Sequence, residues 1–195
     1  MIRNKCKICR RAGEKLFLKG KKCNSPTCPF VRRSYGPGQH GSKAQNKNRV
    51  SDYSIQLLEK QKAKAIYGVS EAKARSYYNQ ARKEKGATGQ KMMNLFEARL
   101  DNVVYRGLLA NSRYQAKQLI LHSKVKVNNK KVNICNYQVR KGDKITVDAD
   151  SEEVKGEMPE WLKKKANVIE VVDEPTYNGL QSNINEQLII EYYSR

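Results

Sequence analysis

Histidine is nearly missing from this 195-residue chain, which has two, His40 and His122. No serine or cysteine nucleophile therefore finds a credible imidazole partner, and hydrolase-type chemistry is not expected. A phosphate-cradling glycine loop is missing as well. The Tyr35–Gly41 run YGPGQHG has neither the spacing nor the Lys-Ser ending of one. Long apolar runs are absent, and no segment joins a wide apolar face to a basic one, so a membrane is a poor partner. The start, MIRNKCKICRR, lacks the apolar middle of a secretory signal, and a cytosolic protein, or one made inside an organelle, is expected. Acidic residues are scarce at this end. The first 50 residues hold one, Glu14, against 14 lysines and arginines.

What is abundant is positive charge. The formal net charge is +20 and the isoelectric point about 9.8. Residues 51–150 hold 20 basic against 9 acidic side chains, and residues 151–195 hold 5 against 9. A compact chain this basic repels itself unless a polyanion neutralises it. Nucleic acid is the first candidate, because counterion release rewards each cation that meets a phosphate. The acidic balance of the last segment directs it toward protein or solvent. Hydrophobic residues make up 38% and mean hydropathy is −0.81, so the cores are expected to be modest.

Cys6, Cys9, Cys23 and Cys28 form the pattern C-x2-C-x13-C-x4-C. Two close pairs of thiolates can meet at one tetrahedral point, an arrangement that zinc favours. An iron–sulfur cluster also accepts four cysteines and is the alternative. Disulfides are disfavoured in a cytosolic chain. Four thiolates on one ion leave no open coordination position, which points to a structural role. The segment has few large apolar side chains, and a metal would supply the ordering free energy that it lacks. The fifth cysteine, Cys135, lies in strand-like sequence and is expected to be a buried thiol.

Residues 32–50 mix glycine, proline and cations, as expected of an arm laid on RNA, with Tyr35 and His40 available to stack on bases. Residues 51–98 read as three helices, opened near Ser51, Ser70 and Thr88, with Gly68 closing the first. The stretch from Arg99 to Lys144 organises the rest. Ser112 is placed to cap a helix carrying Ala116, Leu119 and Ile120 on one face, with Arg113 and Lys117 four apart near its positive end. A helix N-terminus with added cations suits phosphate. Val125 and Val127 alternate with lysines at strand period, and Asn128-Asn129 reads as a two-residue hairpin turn. Val168–Val172 reads as a further strand, and Asn185–Tyr192 as a short helix or strand packing back on the helices.

This stretch resembles the alpha-L RNA-binding motif in the form carried by the S-four family of small-subunit ribosomal proteins. The resemblance rests on RLDNVVYR at Arg99–Arg106, SRYQAKQLILH at Ser112–His122, KVKVNNKKVN at Lys124–Asn133 and RKGD at Arg140–Asp143. YGPGQHG and the terminal EQLIIEYYSR at Glu186–Arg195 agree too, so it spans nearly the whole chain. Asn129 stands where the family has glycine, and His122-Ser123-Lys124 where it has HGH; neither change removes a cation.

The fold class expected is α+β. It comprises a basic, metal-stabilised segment over 1–50, a helical domain over 51–98 completed by 151–195, and an alpha-L domain of helices with a small antiparallel sheet over 99–150. The candidate RNA contacts are Arg3, Arg10, Arg32, Arg33, Tyr35, His40, Arg49, Arg99, Tyr105, Arg106, Arg113, Lys117, Lys124 and Lys131. Arg99 and Arg106 have a structural alternative, as partners of Asp101. The resemblance implies a structural, non-enzymatic role: binding the 5′ domain of small-subunit rRNA early in assembly. It also implies a place beside the ribosomal protein called S-five and near the channel that admits mRNA, and a part in translational accuracy. Some family members have the four-cysteine set and others lack it. A stand-alone RNA chaperone using the same motif, or a DNA-binding zinc protein, are the other classes. The second wants a recognition helix after the metal site, and the Gly/Pro-rich stretch after Cys28 offers none.

Overall fold

The computed structural model describes residues 4–41, 51–148, 154, 156–177 and 184–195. They fall into two compact units, one within Met1–Gly89 and Gly179–Arg195, the other within Gln90–Asn178.

The first unit is helical. The cysteine segment forms three short helices, α1 (Lys5–Ala12), α2 (Lys21–Asn24) and α3 (Pro29–Arg32), and two long ones follow, α4 (Asp52–Tyr67) and α5 (Glu71–Lys83). Ser51 and Ser70 cap the long helices, each hydroxyl accepting the backbone N–H three residues on, from Ser54 and Lys73. Gly68 ends α4 in the left-handed region at φ 63°, a conformation costly to any residue with a Cβ. After α6 (Thr88–Glu97), α7 (Leu100–Arg106) and α8 (Arg113–Leu121), the chain returns to this unit as α9 (Glu186–Ser194), which packs on α4 and α5. Tyr193 stacks on Tyr78, ring centroids 5.3 Å apart, and its hydroxyl donates to Glu71 Oε1 at 3.0 Å. Lys60 donates to the same oxygen at 3.1 Å and lies 3.9 Å from the centre of the Tyr192 ring.

The second unit layers α7 and α8 on one face of an antiparallel sheet. Its strands are β1 (Val125–Val127), β2 (Lys130–Lys131), β3 (Lys144–Val147), β4 (Leu162–Lys165) and β5 (Val168–Val171), in the order β2-β1-β3-β5-β4. Side chains alternate across a strand, so Val125, Val127, Ile145, Val147, Leu162, Ile169 and Val171 share the inner face. There they meet Leu100, Val103, Ala116 and Ile120 of the helices in one buried cluster. Asn128 and Asn129 form the hairpin turn at φ 49° and 66°. The Asn128 side chain pins it, donating to Asp143 Oδ1 at 2.8 Å and accepting from Lys144 N at 2.9 Å.

The α+β class expected holds. The expected domain division needs a correction. The sequence reading gives residues 151–195 as a block to the helical domain, but β4 and β5 extend the sheet of the other unit. Pairing β5 with β3 continues the inner row, Ile145 opposite Ile169, and buries apolar side chains that would otherwise be exposed. Among the described residues, no helix is long and apolar enough to cross a membrane.

Candidate nucleic-acid interface

The site in the second unit is built from a buried ion pair outward. Glu97, 1% exposed, receives Arg106 in a forked contact, Nε to Oε2 at 3.0 Å and Nη2 to Oε1 at 2.8 Å. A buried charge is tolerable only when paired and hydrogen-bonded, and this fork does both. The Asn102 amide donates to Glu97 Oε2 at 2.7 Å and to the Glu97 carbonyl at 2.9 Å. That leaves Asn102 Oδ1 turned to Arg113, whose Nε donates to it at 2.7 Å. The Arg113 guanidinium lies 4.5 Å from the centre of the Tyr105 ring. Arg113 is the first residue of α8, and Ser112 caps that helix by accepting from Gln115 N at 3.2 Å. A half-exposed arginine thus occupies the first position of a capped helix, whose N-terminal backbone N–H groups and dipole favour an anion.

Lys117, half-exposed, follows Arg113 by one turn on the same face, and Lys124 and Lys131 are exposed at the start of β1 and on β2. Arg113 and Lys117 thus share one face of α8, while Lys131, opposite Lys126 in the register, stands on the face of the sheet turned away from the buried valines. Tyr105, a candidate RNA contact, carries the Arg113 guanidinium on its ring face. Arg99 and Arg106 do not reach the surface. Arg99 is 4% exposed and forks onto Asp101, Nε to Oδ1 at 3.0 Å. The structural alternative therefore describes both arginines, with Glu97 as the partner of Arg106. Cys135 is buried as expected. Burial pushes its thiol pKa up, and the neighbouring Asp101 acts in the same direction.

In the first unit, Arg10 serves the chain itself. Its Nε and Nη2 donate to the carbonyls of Tyr35 and Gly36 at 2.9 and 3.1 Å, and its guanidinium lies 5.0 Å from the Tyr35 ring centre. Arg10 thereby ties the YGPGQHG loop to α1, while Arg32, Arg33 and His40 are exposed. Arg3 and Arg49 lie outside the described residues.

The four paired cysteines carry no disulfide. Cys9, Cys23 and Cys28 are buried and Cys6 half-buried, on or beside α1, α2 and α3. Lys19 N donates to Cys23 Sγ at 3.3 Å. Burial raises the pKa of Cys9 and Cys23. A backbone N–H beside each, from Leu16 and Lys19, pulls the other way, and the neighbouring thiols raise them further. The thiols therefore feel one another. Even so, among the described residues no group of three or more His, Cys, Asp or Glu side chains is arranged to hold a metal ion.

Glu97 and Asn102 were not among the residues singled out by sequence. The only signal was the RLDN run itself, whose asparagine has no apolar periodicity to explain it.

Known proteins share this sequence pattern. The family profile described as "Ribosomal protein S4/S9 N-terminal domain" matches residues 1–97, and the "S4 domain" profile matches residues 98–145. The small ribosomal subunit protein uS4 of Clostridium beijerinckii is 47% identical, with 97% of this chain and 96% of that protein aligned. The uS4A protein of Clostridium novyi and the uS4 protein of Caldicellulosiruptor bescii are each 45% identical over the same shares of both chains.

Proposed function

We propose, from the premise that this chain belongs to the ribosomal protein S4 family, that it holds rRNA of the small subunit through Arg113 and Lys117 on α8, with Lys124 and Lys131 at the hairpin as further contacts. Membership makes it a structural constituent of the small ribosomal subunit in the cytoplasm, and not an enzyme. One observation carries the surface: Arg113, the first residue of the capped helix α8, is held by Asn102 and Tyr105. Such a cation loses little side-chain freedom when it meets a phosphate, so more of the contact energy remains as affinity. Double-stranded RNA hides its base edges, and a fixed pattern of cations reads the shape of a folded junction.

The family resemblance supports finer steps. The RNA is the 5′ domain of small-subunit rRNA, bound early in assembly. The neighbours are the S-five protein and mRNA at the channel that admits it, with an effect on translational accuracy. The relatives named above are bacterial, which supports a bacterial-type protein over an organellar one.

Zinc on Cys6, Cys9, Cys23 and Cys28 is part of the same proposal. The C-x2-C-x13-C-x4-C pattern and the backbone N–H donors beside Cys9 and Cys23, which favour the thiolate, support it. These residues would hold the ion, whose contribution is to tie three short helices together. An iron–sulfur cluster on the same thiolates is the alternative.

The test is binding of the full chain to 5′-domain RNA, with bulk tRNA as competitor, across a salt series. Preference for the 5′ domain, with a salt slope that reports several released counterions, is expected. Equal affinity for both RNAs would mean that charge alone acts, and a chaperone would then fit better.

A further inference from the structure

We propose that the outer face of the sheet in the second unit, built from Lys126, Lys131, Lys144, Lys163 and Lys165, is a second surface for an RNA sugar–phosphate backbone. The proposal rests on the rRNA reading above and extends it from Lys131, already among its contacts, to the rest of the sheet face on which that lysine stands.

The strand register assembles the face. Lys131 lies opposite Lys126, Lys126 opposite Thr146, Thr146 opposite Val168, and Val168 opposite Lys165. The neighbouring row runs Lys144, Glu170, Lys163. Cross-strand partners share a face, and these residues alternate with the buried row. All five lysines therefore project away from the core and from α7 and α8. Lys164, of opposite parity, turns inward, and its Nζ donates to the Leu108 carbonyl at 2.9 Å. The lysine-rich run of β4, which composition alone gave to protein or solvent, is in this way split into one structural cation and two exposed ones.

Two carboxylates share the face. Asp148 pairs with Lys126 at 2.6 Å, and Glu170 lies 4.0 Å from Lys144. Both acids are about half exposed, so neither pair holds its lysine firmly against a competing phosphate. Lys126 and Lys131 stand directly opposite each other, a like-charge pairing that disfavours the sheet and that a phosphate would offset further than the half-exposed Asp148 beside Lys126 does. Among the residues of these two rows, Val168 is the only apolar side chain and none is aromatic. A protein partner would need an apolar or aromatic anchor to bury. Point charges on flexible stems, with the Thr146 hydroxyl among them, suit a polyanion bound without reading its sequence. Because this face and the α7–α8 face lie on opposite sides of one domain, the two take separate RNA segments, and the domain bridges them.

The test uses the full chain and 5′-domain RNA across a salt series. The variants are Lys163→Gln with Lys165→Gln, and, in parallel, Arg113→Gln with Lys117→Gln. Both sheet lysines are exposed, so the urea midpoint of the first variant serves as the folding control. The proposal expects its salt slope to fall by about 1.5, from about 0.7–0.9 per lost phosphate contact, and its affinity to drop several-fold at low salt. An unchanged slope and affinity in the sheet variant, while the α8 variant weakens, overturns this inference and leaves the rRNA reading intact. Full binding by both variants overturns the two together. Loss of binding to an acidic ribosomal protein, with the RNA slope unmoved, overturns it in favour of a protein-facing surface.

Discussion

Arg113 at the surface is joined to Asn102 in the core, Nε to Oδ1 at 2.7 Å. Asn102 is in turn held by Glu97, and Glu97 by Arg106. The exposed cation is therefore aimed by three buried residues that no phosphate touches. A double-mutant cycle of Asn102→Ala and Arg113→Ala, read as affinity for 5′-domain RNA, is expected to show coupling of about 0.5–3 kcal/mol. Additive losses would mean that Asn102 serves stability alone.

Gly107 follows α7 where the sheet passes close beneath it. A Cβ there would lie 2.1 Å from Ile169 Cδ1 and 2.7 Å from its Cγ1. The backbone conformation is ordinary, so the demand is for space and not for a special φ. Gly107→Ala is expected to destabilise the second unit by about 1–3 kcal/mol, seen as a lower urea midpoint. Ile169→Val in the same chain should recover part of the loss. A midpoint that does not move would show that the strand shifts at no cost.

Glu71 links the pH dependence of the first unit to its C-terminal helix. Burial alone would raise its carboxyl, but donors from Lys64, Lys60 and Tyr193 outweigh that and hold it at about 2, against an ordinary 4.5. The folded value lies below the unfolded one. The stabilisation is therefore complete above about pH 4.5 and is lost as pH falls toward 2. Glu71→Gln is expected to flatten acid unfolding of this unit within that window. The same steepness in the variant would place the titration elsewhere.

Zinc on the four cysteines predicts that a chelator opens residues 1–50 to protease and spares the rest of the chain. Mass-mapped limited proteolysis, with and without chelator, reads this directly. Equal protection of that segment in both samples would count against a structural ion.

Local signals were the legible ones. Ser51, Ser70 and Ser112 cap helices where a serine precedes an apolar period, and Asn128-Asn129 turns because asparagine tolerates positive φ. The exposed cations Lys124 and Lys131 were also readable, since nothing near them in sequence could bury them. Strand β4 was not, because LKKK has one apolar residue and no alternation to mark it. It is a strand by virtue of its partner, with Leu162 opposite Val171. The burial of Arg99 and Arg106 was similarly hidden. An arginine reads as a surface cation until its acid is seen, and Glu97 reaches Arg106 from the preceding helix.

The central claim is that the α8 face holds the RNA. The most direct measurement is the affinity of the Arg113→Glu, Lys117→Glu variant for 5′-domain RNA at fixed salt, beside the unaltered chain. A loss of about 1–3 kcal/mol for each strong contact is expected, measured where the urea transition shows the variant still folded, since losing the Arg113–Asn102 bond lowers the midpoint as well. Unaltered affinity in a folded variant would contradict the account and put the RNA face elsewhere on the molecule.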